Sequence, residues 1–278
     1  MKKGSNAQTL LRIQEALQAA ARAVSCFVPG KVKADYKPGQ DPVTEADRVA
    51  NEVLREILIQ EGEGWLSEES VDDKQRLSKE RVWVVDPLDG TREFVAGIPE
   101  WCVSVALVEQ GRAVAGGVCN PATGELIVGS SEAGVKLNGS AVQASPRENL
   151  AGALVLASRS EVKRGEWDRF RSAPFTIRPM GSVAYKLALV AAGLADATWT
   201  LVPKHEWDVA AGVALVEAAG GFVSDLKSAS MQFNRPSTFL SGLVAGGPRL
   251  REPITSILDF GLPLLDCKEE SKSRKSNS

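Results

Sequence analysis

The stretch that most constrains the fold is residues 82–91, which reads VWVVDPLDGT. Its opening apolar run predicts a buried strand. We expect Pro87 to end that strand, because proline cannot donate a hydrogen bond to a β-ladder. Gly90 then turns the chain, and a helix is predicted to begin after it. The stretch therefore brings carboxylates to a helix N-terminus, where hard cations and phosphate groups both find ligands.

Asp86 and Asp89 are the two carboxylates of this stretch. At that spacing they could converge on one ion or bridge two, with the carbonyl oxygen of Leu88 between them. A plain surface turn is the alternative, since Asp-Pro and Asp-Gly are common turn dipeptides.

The composition is that of a soluble globular protein. Because its net charge is small, we expect it to recognise ligands at a local site rather than through a large charged surface. The 278 residues carry a formal charge of -2 and are 44% hydrophobic. This balance provides no basic field for a nucleic-acid polymer. No apolar run is long enough to span a bilayer, and the N-terminus lacks the apolar core of a secretory signal. We expect a cytoplasmic protein whose four cysteines, far apart and without a CxxC pair, remain reduced.

The single histidine, His205, limits the chemistry further. A histidine-based triad or zinc site would have to be built on that one residue, and zinc sites usually need several His or Cys ligands. Hydrolysis in this chain would therefore depend on carboxylates, hydroxyls and a hard metal ion.

The first half of the chain predicts two helices followed by a sheet. Helical spacing covers residues 7–24, and Thr44 is the predicted N-cap of a helix that continues to about residue 60. Residues 62–79 are interpreted as a polar connection. An antiparallel sheet closed by short hairpins is then predicted from the apolar runs at 82–85, 103–109, 113–119 and 125–129.

The second half alternates strands and helices, which is typical of an α/β lobe. Strands are predicted at 154–156, 176–178, 197–201 and 222–223, and helices at 167–172, 183–192 and 209–219. We predict an α+β N-terminal lobe at 1–146, an α/β C-terminal lobe at 147–266 and a disordered tail at 267–278.

Two further acidic positions are candidates for the same site. Glu68 lies in the run SEES, which is otherwise interpreted as a solvated acidic loop. Asp208 opens a helix that begins WDVAAG, where it could simply be the N-cap. The small residues 210–212 favour either close packing or the close approach of a ligand.

The combination of segments resembles the inositol monophosphatase superfamily. DPLDGT at 86–91 is similar to its D-P-[IL]-D-G-T motif, and WDVAAG with EAAGG at 207–221 is similar to its second motif. SEES at 67–70 and DPVTEAD at 41–47 resemble two further segments, in family order. The resemblance covers roughly residues 7–264. It implies a layered α/β/α/β/α fold and a Mg²⁺-dependent phosphomonoesterase.

Carried over residue by residue, the resemblance implies a site with two or three Mg²⁺ ions. Its implied metal ligands are Glu68, Asp86, the Leu88 carbonyl, Asp89 and Asp208. Thr91 and Asp47 match the pair that positions and deprotonates the attacking water, and Glu68 is counted with them as catalytic. The backbone amides of Gly90 and Thr91 match the phosphate cradle.

The substrate is implied less directly. Residues 91–94, TREF, resemble the CysQ-like 3′(2′),5′-bisphosphate nucleotidases, as do Glu206 before the second motif and Lys186. Leu201 stands where inositol phosphatases carry an acidic residue. We therefore expect a bisphosphate nucleotide, with Lys186 and Glu206 as substrate contacts, although Lys186 could also be a solvated helix residue.

Alternatives at this point are an inositol monophosphatase, a sugar or histidinol phosphatase of the same superfamily, and a non-catalytic binding protein on the same scaffold. The expected partner is a small phosphate ester, with no nucleic-acid polymer and no membrane. A homodimer is possible, since dimers are usual in this family.

Overall fold

The computed structural model describes residues 6–36 and 42–259. Its α-helices are, in chain order, α1 (Asn6–Val24), α2 (Glu45–Leu58), α3 (Thr91–Ala96), α4 (Arg159–Lys163), α5 (Val183–Ala191), α6 (Glu206–Ala218) and α7 (Arg251–Asp259). Short 3₁₀ helices occur at Gln75–Ser78, Asp168–Phe170 and Pro248–Leu250.

Within the described residues, the strands form two large sheets and two small ribbons. In chain order they are β1 (Asp35–Tyr36), β2 (Pro42–Val43), β3 (Gly64–Ser67), β4 (Arg81–Asp89), β5 (Cys102–Glu109), β6 (Arg112–Asn120), β7 (Glu125–Ser130), β8 (Gly134–Leu137), β9 (Ser140–Val142), β10 (Leu154–Ser158), β11 (Thr176–Met180), β12 (Ala197–Thr200), β13 (Lys204–His205), β14 (Phe222–Ser224), β15 (Phe239–Leu240) and β16 (Leu243–Gly246).

The first sheet has the order β3-β4-β5-β6-β7-β8-β9 and is antiparallel from β4 onward. The predicted hairpin sheet is therefore confirmed. Helices α1 and α2 cover one face of it, because both carry an apolar stripe that includes Ile13, Leu17 and Leu54. The predicted N-cap is also confirmed, since Thr44 accepts a hydrogen bond from the amide of Ala46 at 3.2 Å.

The interpretation of residues 62–79 as a polar connection was wrong for its first part. β3 pairs in parallel with β4, with Ser67 opposite Val85. The pattern was hard to detect because β3 is a short edge strand with only two large apolar side chains, Trp65 and Leu66, between acidic residues. This pairing carries Glu68, which follows β3, to the end of β4.

Pro87 does not end β4. The ladder with β5 pairs Asp86 with Ser104, skips, and resumes with Asp89 opposite Cys102. Proline removes one ladder donor, and the strand accommodates the loss as an irregularity instead of stopping. Asp86 and Asp89 therefore belong to one strand. The predicted helix after Gly90 is confirmed as α3.

The second sheet has the order β11-β10-β12-β16-β14 and is mixed. β10 is parallel to β11 and β12, whereas β16 is antiparallel to both of its neighbours. β16, α4 and α7 had no predicted counterpart. The helix expected at 167–172 is the short 3₁₀ turn Asp168–Phe170.

Helices α5 and α6 form the central layer between the two sheets. Their apolar residues, among them Leu187 and Val213, share one core with residues of both sheets. A separate core on the outer face of the second sheet contains Trp167, Trp199 and Ile254 of α7. The order of layers is helix, sheet, helix, sheet, helix, so the predicted α/β/α/β/α fold is confirmed.

The small residues at the start of α6 allow close helix packing. A Cβ added at Gly212 would lie 2.3 Å from the Cβ of Leu187 in α5. No side chain larger than hydrogen fits there unless the helices separate. Of the two alternatives for residues 210–212, close packing therefore accounts for the glycine.

The chain passes from the first sheet to the second between β9 and β10. The lobe boundary at residue 146 stays a prediction, and the expected tail at 267–278 lies outside the described residues. None of the helices within 6–36 and 42–259 combines the length and hydrophobicity needed to cross a bilayer.

Candidate metal centre

Three carboxylates from distant parts of the chain converge at the end of β4. One oxygen each from Glu68, Asp86 and Asp208 lies within 4.8 Å of the others. Glu68 follows β3, Asp86 lies in β4, and Asp208 lies in the first turn of α6. Asp86 is buried, and the other two are half-buried.

This convergence is unfavourable unless a positive charge accompanies it. The pKa of Asp86 is raised well above its ordinary value, first by burial and then by the charges of Glu68, Asp89 and Asp208. The pKa of Asp208 is raised to about 8, again first by burial and then by Asp89 and Glu68. An oxygen-only set of this kind fits a hard divalent cation, which would relieve the repulsion.

The first turn of α6 orients Asp208. The N-cap of α6 is His205, and its backbone amide donates to Oδ2 of Asp208 at 2.9 Å. The suggestion that Asp208 could be the N-cap was therefore wrong. Asp208 is the third residue of the helix, and one of its oxygens is held by the helix start.

Asp86 and Leu88 are fixed by local hydrogen bonds. The amide of Leu88 donates to Oδ1 of Asp86 at 3.0 Å, an arrangement that Pro87 between them favours. The carbonyl oxygen of Leu88 lies 3.0 Å from the hydroxyl oxygen of Thr91. The backbone atom that the resemblance implies as a ligand thus lies next to the Thr91 hydroxyl.

Asp89 lies beside the three converging carboxylates, and its charge acts on both Asp86 and Asp208. Its Oδ2 accepts from the hydroxyl of Ser182 at 2.7 Å and from the amide of Ala184 at 2.6 Å. Burial raises the pKa of Asp89, and these two hydrogen bonds act in the opposite direction. Ser182 had not been singled out from the sequence, because a serine before a helix is an ordinary cap.

Asp47 connects α2 to α3. Its Oδ2 accepts from the amide and the hydroxyl of Thr44, at 2.8 and 2.6 Å, and its Oδ1 accepts from the hydroxyl of Thr91 at 3.0 Å. Burial raises the pKa of Asp47 above its ordinary value. A carboxylate with a raised pKa next to a hydroxyl is suited to accept a proton.

Gly90 begins α3 in a conformation that glycine alone adopts without strain. Its φ is +97°, and an added Cβ would lie 2.8 Å from the carbonyl oxygen of Glu100. The tight turn brings the backbone of Gly90 and Thr91 directly after Asp89.

Two lysines supply positive charge on the α5 and α6 side. Lys186 is only 2% exposed, its Nζ donates to the carbonyl of Met180 at 3.4 Å, and burial lowers its pKa to about 8 despite Asp89. The alternative of a solvated Lys186 is therefore wrong. Lys204, half-buried in β13, acts electrostatically on Asp89, Asp208 and Lys186. No motif in the sequence pointed to Lys204.

Glu206 lies under a loop. It has no exposed surface, and its carboxylate oxygens accept from the amides of Asn234 and Arg235 at 2.7 and 2.9 Å. These contacts fix the 234–235 backbone near the start of α6.

Two other residues considered for substrate binding make contacts of their own. Leu201 packs against the outer aromatic core, and Arg159 pairs with Glu100 at 2.6 Å.

A cleft of about 1080 Å³ elsewhere in the molecule is separate from this centre. It is lined by the start of α1, the end of α2 and residues 78–81, and none of the converging carboxylates borders it. The candidate metal centre is therefore defined by its charged groups rather than by this cavity.

A layered α/β/α/β/α fold with an acidic centre at the end of β4 is the arrangement that the motif resemblance implies for a phosphoric monoester hydrolase. The sequence profile of the inositol monophosphatase family matches residues 6–259. This chain belongs to the inositol monophosphatase family, and the resemblance stated from its motifs is confirmed.

Individual relatives show the same kinship. An inositol-1-monophosphatase of Rhizobium meliloti is 32% identical over 241 residues, which span 84% of this chain and 88% of the relative. The crystal structure of the extragenic suppressor protein suhB from Bartonella henselae has a TM-score of 0.78 at 29% identity and covers 91% of this chain and 99% of its own. The crystal structure of CysQ from Bacteroides thetaiotaomicron has a TM-score of 0.73 at 26% identity. The match covers 88% of this chain and 99% of the CysQ chain.

Proposed function

We propose that this chain is a Mg²⁺-dependent phosphomonoesterase that hydrolyses a small phosphorylated metabolite. The observation that carries the proposal is the convergence of Glu68, Asp86 and Asp208 within 4.8 Å. The Leu88 carbonyl and Asp89 complete the proposed ligand set. When bound there, Mg²⁺ supplies neutralisation of the ester and acidification of water.

The residues around this ligand set are proposed to transfer the proton, orient the water and bind the phosphate. The hydroxyl of Thr91 donates to Oδ1 of Asp47, so it can pass that proton to Asp47 while it accepts one from an attacking water. Glu68, on the β3 side, is proposed to orient the same water. The backbone amides of Gly90 and Thr91 are proposed to hold phosphate oxygens.

For the substrate we propose a 3′(2′),5′-bisphosphate nucleotide. Support comes from the positive charge of Lys186 and Lys204 beside Asp89 and from Leu201, which cannot hydrogen-bond a ring hydroxyl. Because Lys186 is buried, Lys204 is the residue proposed to touch the phosphate that is not cleaved. Lys186 would attract the same phosphate electrostatically, without direct contact. Glu206 would act by holding the neighbouring loop.

An inositol phosphate is the second candidate, favoured by the names of relatives such as the Rhizobium meliloti enzyme. A cytoplasmic location and a homodimer stay predictions. The location is supported by the free thiols of Cys102 and Cys119.

The test of the proposed activity is phosphate release by the full chain after EDTA treatment, followed by addition of Mg²⁺ or Zn²⁺. We expect activity to disappear with EDTA and to return with Mg²⁺. Asp86→Asn should abolish it, whereas Asp168→Asn on the surface should not. Full activity in EDTA would contradict metal dependence. No phosphate release from a panel of esters would instead favour a binding protein on this scaffold.

A further inference from the structure

The two contacts of Asp89 are unevenly distributed. Both Ser182 Oγ and the amide of Ala184 donate to the same oxygen, Oδ2. Oδ1 has no hydrogen-bond donor among the described residues. One oxygen is thus held by α5, and the other stays available to a cation.

Ser182 holds its place under conformational strain. Its φ of +52° and ψ of +118° lie outside the regions that residues with a Cβ normally occupy. Strained residues persist where the surroundings fix them, and they concentrate at functional sites. The hydroxyl of Ser182 also accepts from the amide of Tyr185 at 3.0 Å and lies 3.3 Å from Sγ of Cys102.

Glycine would suit the backbone at this position better than serine does. The side chain of Ser182 therefore contributes something that glycine cannot, and its shortest contact is the one to Asp89. Ser182 begins α5 in the central layer, whereas Asp89 ends β4 in the first sheet. The hydrogen bond between Ser182 and Asp89 therefore joins the central helix layer to the first sheet at a proposed metal ligand.

We propose that Ser182 is a positioning residue for the divalent cation. With the amide of Ala184, its hydroxyl fixes Oδ2 of Asp89, so that Oδ1 would remain available to a divalent cation held at this centre. The inference rests on the proposed metal site. Outer groups that orient a ligand typically change metal affinity 10–100-fold when they are removed.

The test is Mn²⁺ binding to the full chain without substrate, measured by calorimetry and electron paramagnetic resonance. Ser182→Ala keeps the strained backbone and loses the hydroxyl, whereas Ser182→Gly loses both. We expect Mn²⁺ affinity to fall about tenfold or more in both variants. Ser158→Ala removes another N-cap hydroxyl, that of α4, and should leave the affinity unchanged.

The melting temperature distinguishes a role of Ser182 in positioning Asp89 from a role in stabilising the fold. Ser182→Gly relieves strain and should melt above Ser182→Ala, although both bind Mn²⁺ weakly. Wild-type affinity in both variants would overturn the role of Ser182 and leave the metal centre standing. Absence of Mn²⁺ binding in the wild-type chain would overturn the centre itself and the role with it.

Discussion

The hydroxyl of Thr91 lies 3.0 Å from Oδ1 of Asp47, so the first turns of α3 and α2 meet at one carboxylate. The other oxygen of Asp47 caps α2 through Thr44. A single aspartate therefore has a structural contact on one oxygen and a proposed catalytic contact on the other. Substituting Asp47 would disturb both, whereas substituting Thr91 leaves the capping contacts of Asp47 in place.

We expect Thr91→Val to lower kcat by about 10²–10⁴-fold, because it removes the hydroxyl that relays the proton and keeps the side-chain shape. The circular dichroism spectrum should remain that of the wild type, and kcat is compared at saturating Mg²⁺ so that any change in metal affinity through Leu88 does not contribute. Thr91→Ser, which restores the hydroxyl, should keep most of kcat. Comparable kcat in Thr91→Val would remove Thr91 from the mechanism.

Asp89→Asn is expected to abolish turnover and leave the fold intact. The variant loses one anionic ligand, which weakens the proposed metal site in the transition state. Its melting temperature without metal should equal or exceed that of the wild type, because repulsion with Asp86 and Asp208 is reduced. The measurement is kcat at saturating Mg²⁺ together with thermal melting. Retention of most of kcat would show that Asp89 is not a required ligand.

The stability of the metal-free chain should depend on Asp208 and pH. The pKa of Asp208 is raised from 3.8 to about 8, so the folded chain binds a proton that the unfolded chain releases. The resulting stabilisation is complete below pH 3.8 and is lost as pH rises through about 8. A divalent cation binds the deprotonated form, so its stabilising effect should grow over the same range.

Thermal melting of wild type and Asp208→Asn between pH 5 and pH 8 tests this dependence, with those limits chosen to span most of the titration up to about 8. Without metal, Asp208→Asn should melt above the wild type at the upper limit and close to it at the lower one. Added Mg²⁺ should raise the melting temperature of the wild type most at high pH, and that of the variant little. Parallel curves for the two proteins would contradict the raised pKa.

The sequence predicted the parts of the centre that lie in one segment. Asp86, Asp89 and Gly90 lie within one stretch of five residues, so the strand-to-turn pattern was enough to group them. The meeting of Glu68 with Asp86 depends on the parallel pairing of β3, a short edge strand with little apolar signal. Family motifs replaced that missing signal, whereas local patterning alone would have left Glu68 in an acidic loop.

The surroundings of the centre were less predictable, because burial and orientation arise from packing between layers. Lys186 carries a charge yet is a buried residue of α5, and Glu206 has its carboxylate directed to the 234–235 backbone. Neither fact follows from residue type, since both side chains usually lie in water. Ser182 and Lys204 also become visible only once α5 and β13 are placed beside Asp89.

Gly212→Ala is expected to destabilise the fold even though alanine favours helices. The new Cβ would lie 2.3 Å from the Cβ of Leu187, and neither atom can move without its backbone. Overpacking of this kind costs about 1–3 kcal/mol, whereas the helix preference of alanine contributes about 1 kcal/mol in the opposite direction. Urea denaturation should show a lower midpoint. An unchanged or higher midpoint would mean that α5 and α6 can separate at little cost.

Substrate choice is the remaining prediction. We expect a higher kcat/KM for adenosine 3′,5′-bisphosphate than for inositol 1-phosphate, because Lys204 offers a half-buried ammonium to a second phosphate and Leu201 offers nothing to a polyol hydroxyl. A charge-assisted contact contributes about 1.5–3 kcal/mol, or roughly one to two orders of magnitude in kcat/KM. Lys204→Ala should therefore lower kcat/KM for the bisphosphate more than for inositol 1-phosphate.

Lys186→Met tests the second charge with little change in side-chain volume, which matters because Lys186 is buried. It should lower the ratio of kcat/KM for the bisphosphate to kcat/KM for inositol 1-phosphate by a smaller factor than Lys204→Ala does. The reason is that Lys186 acts on the phosphate at a distance. Lys227→Ala, at an exposed lysine of the same lobe, should leave both values unchanged. The measurement is kcat/KM for both esters in all four proteins at saturating Mg²⁺. A wild-type preference for inositol 1-phosphate that neither lysine variant alters would assign this chain to the inositol phosphatases, because the positive charge beside Asp89 would then have no part in selecting the substrate.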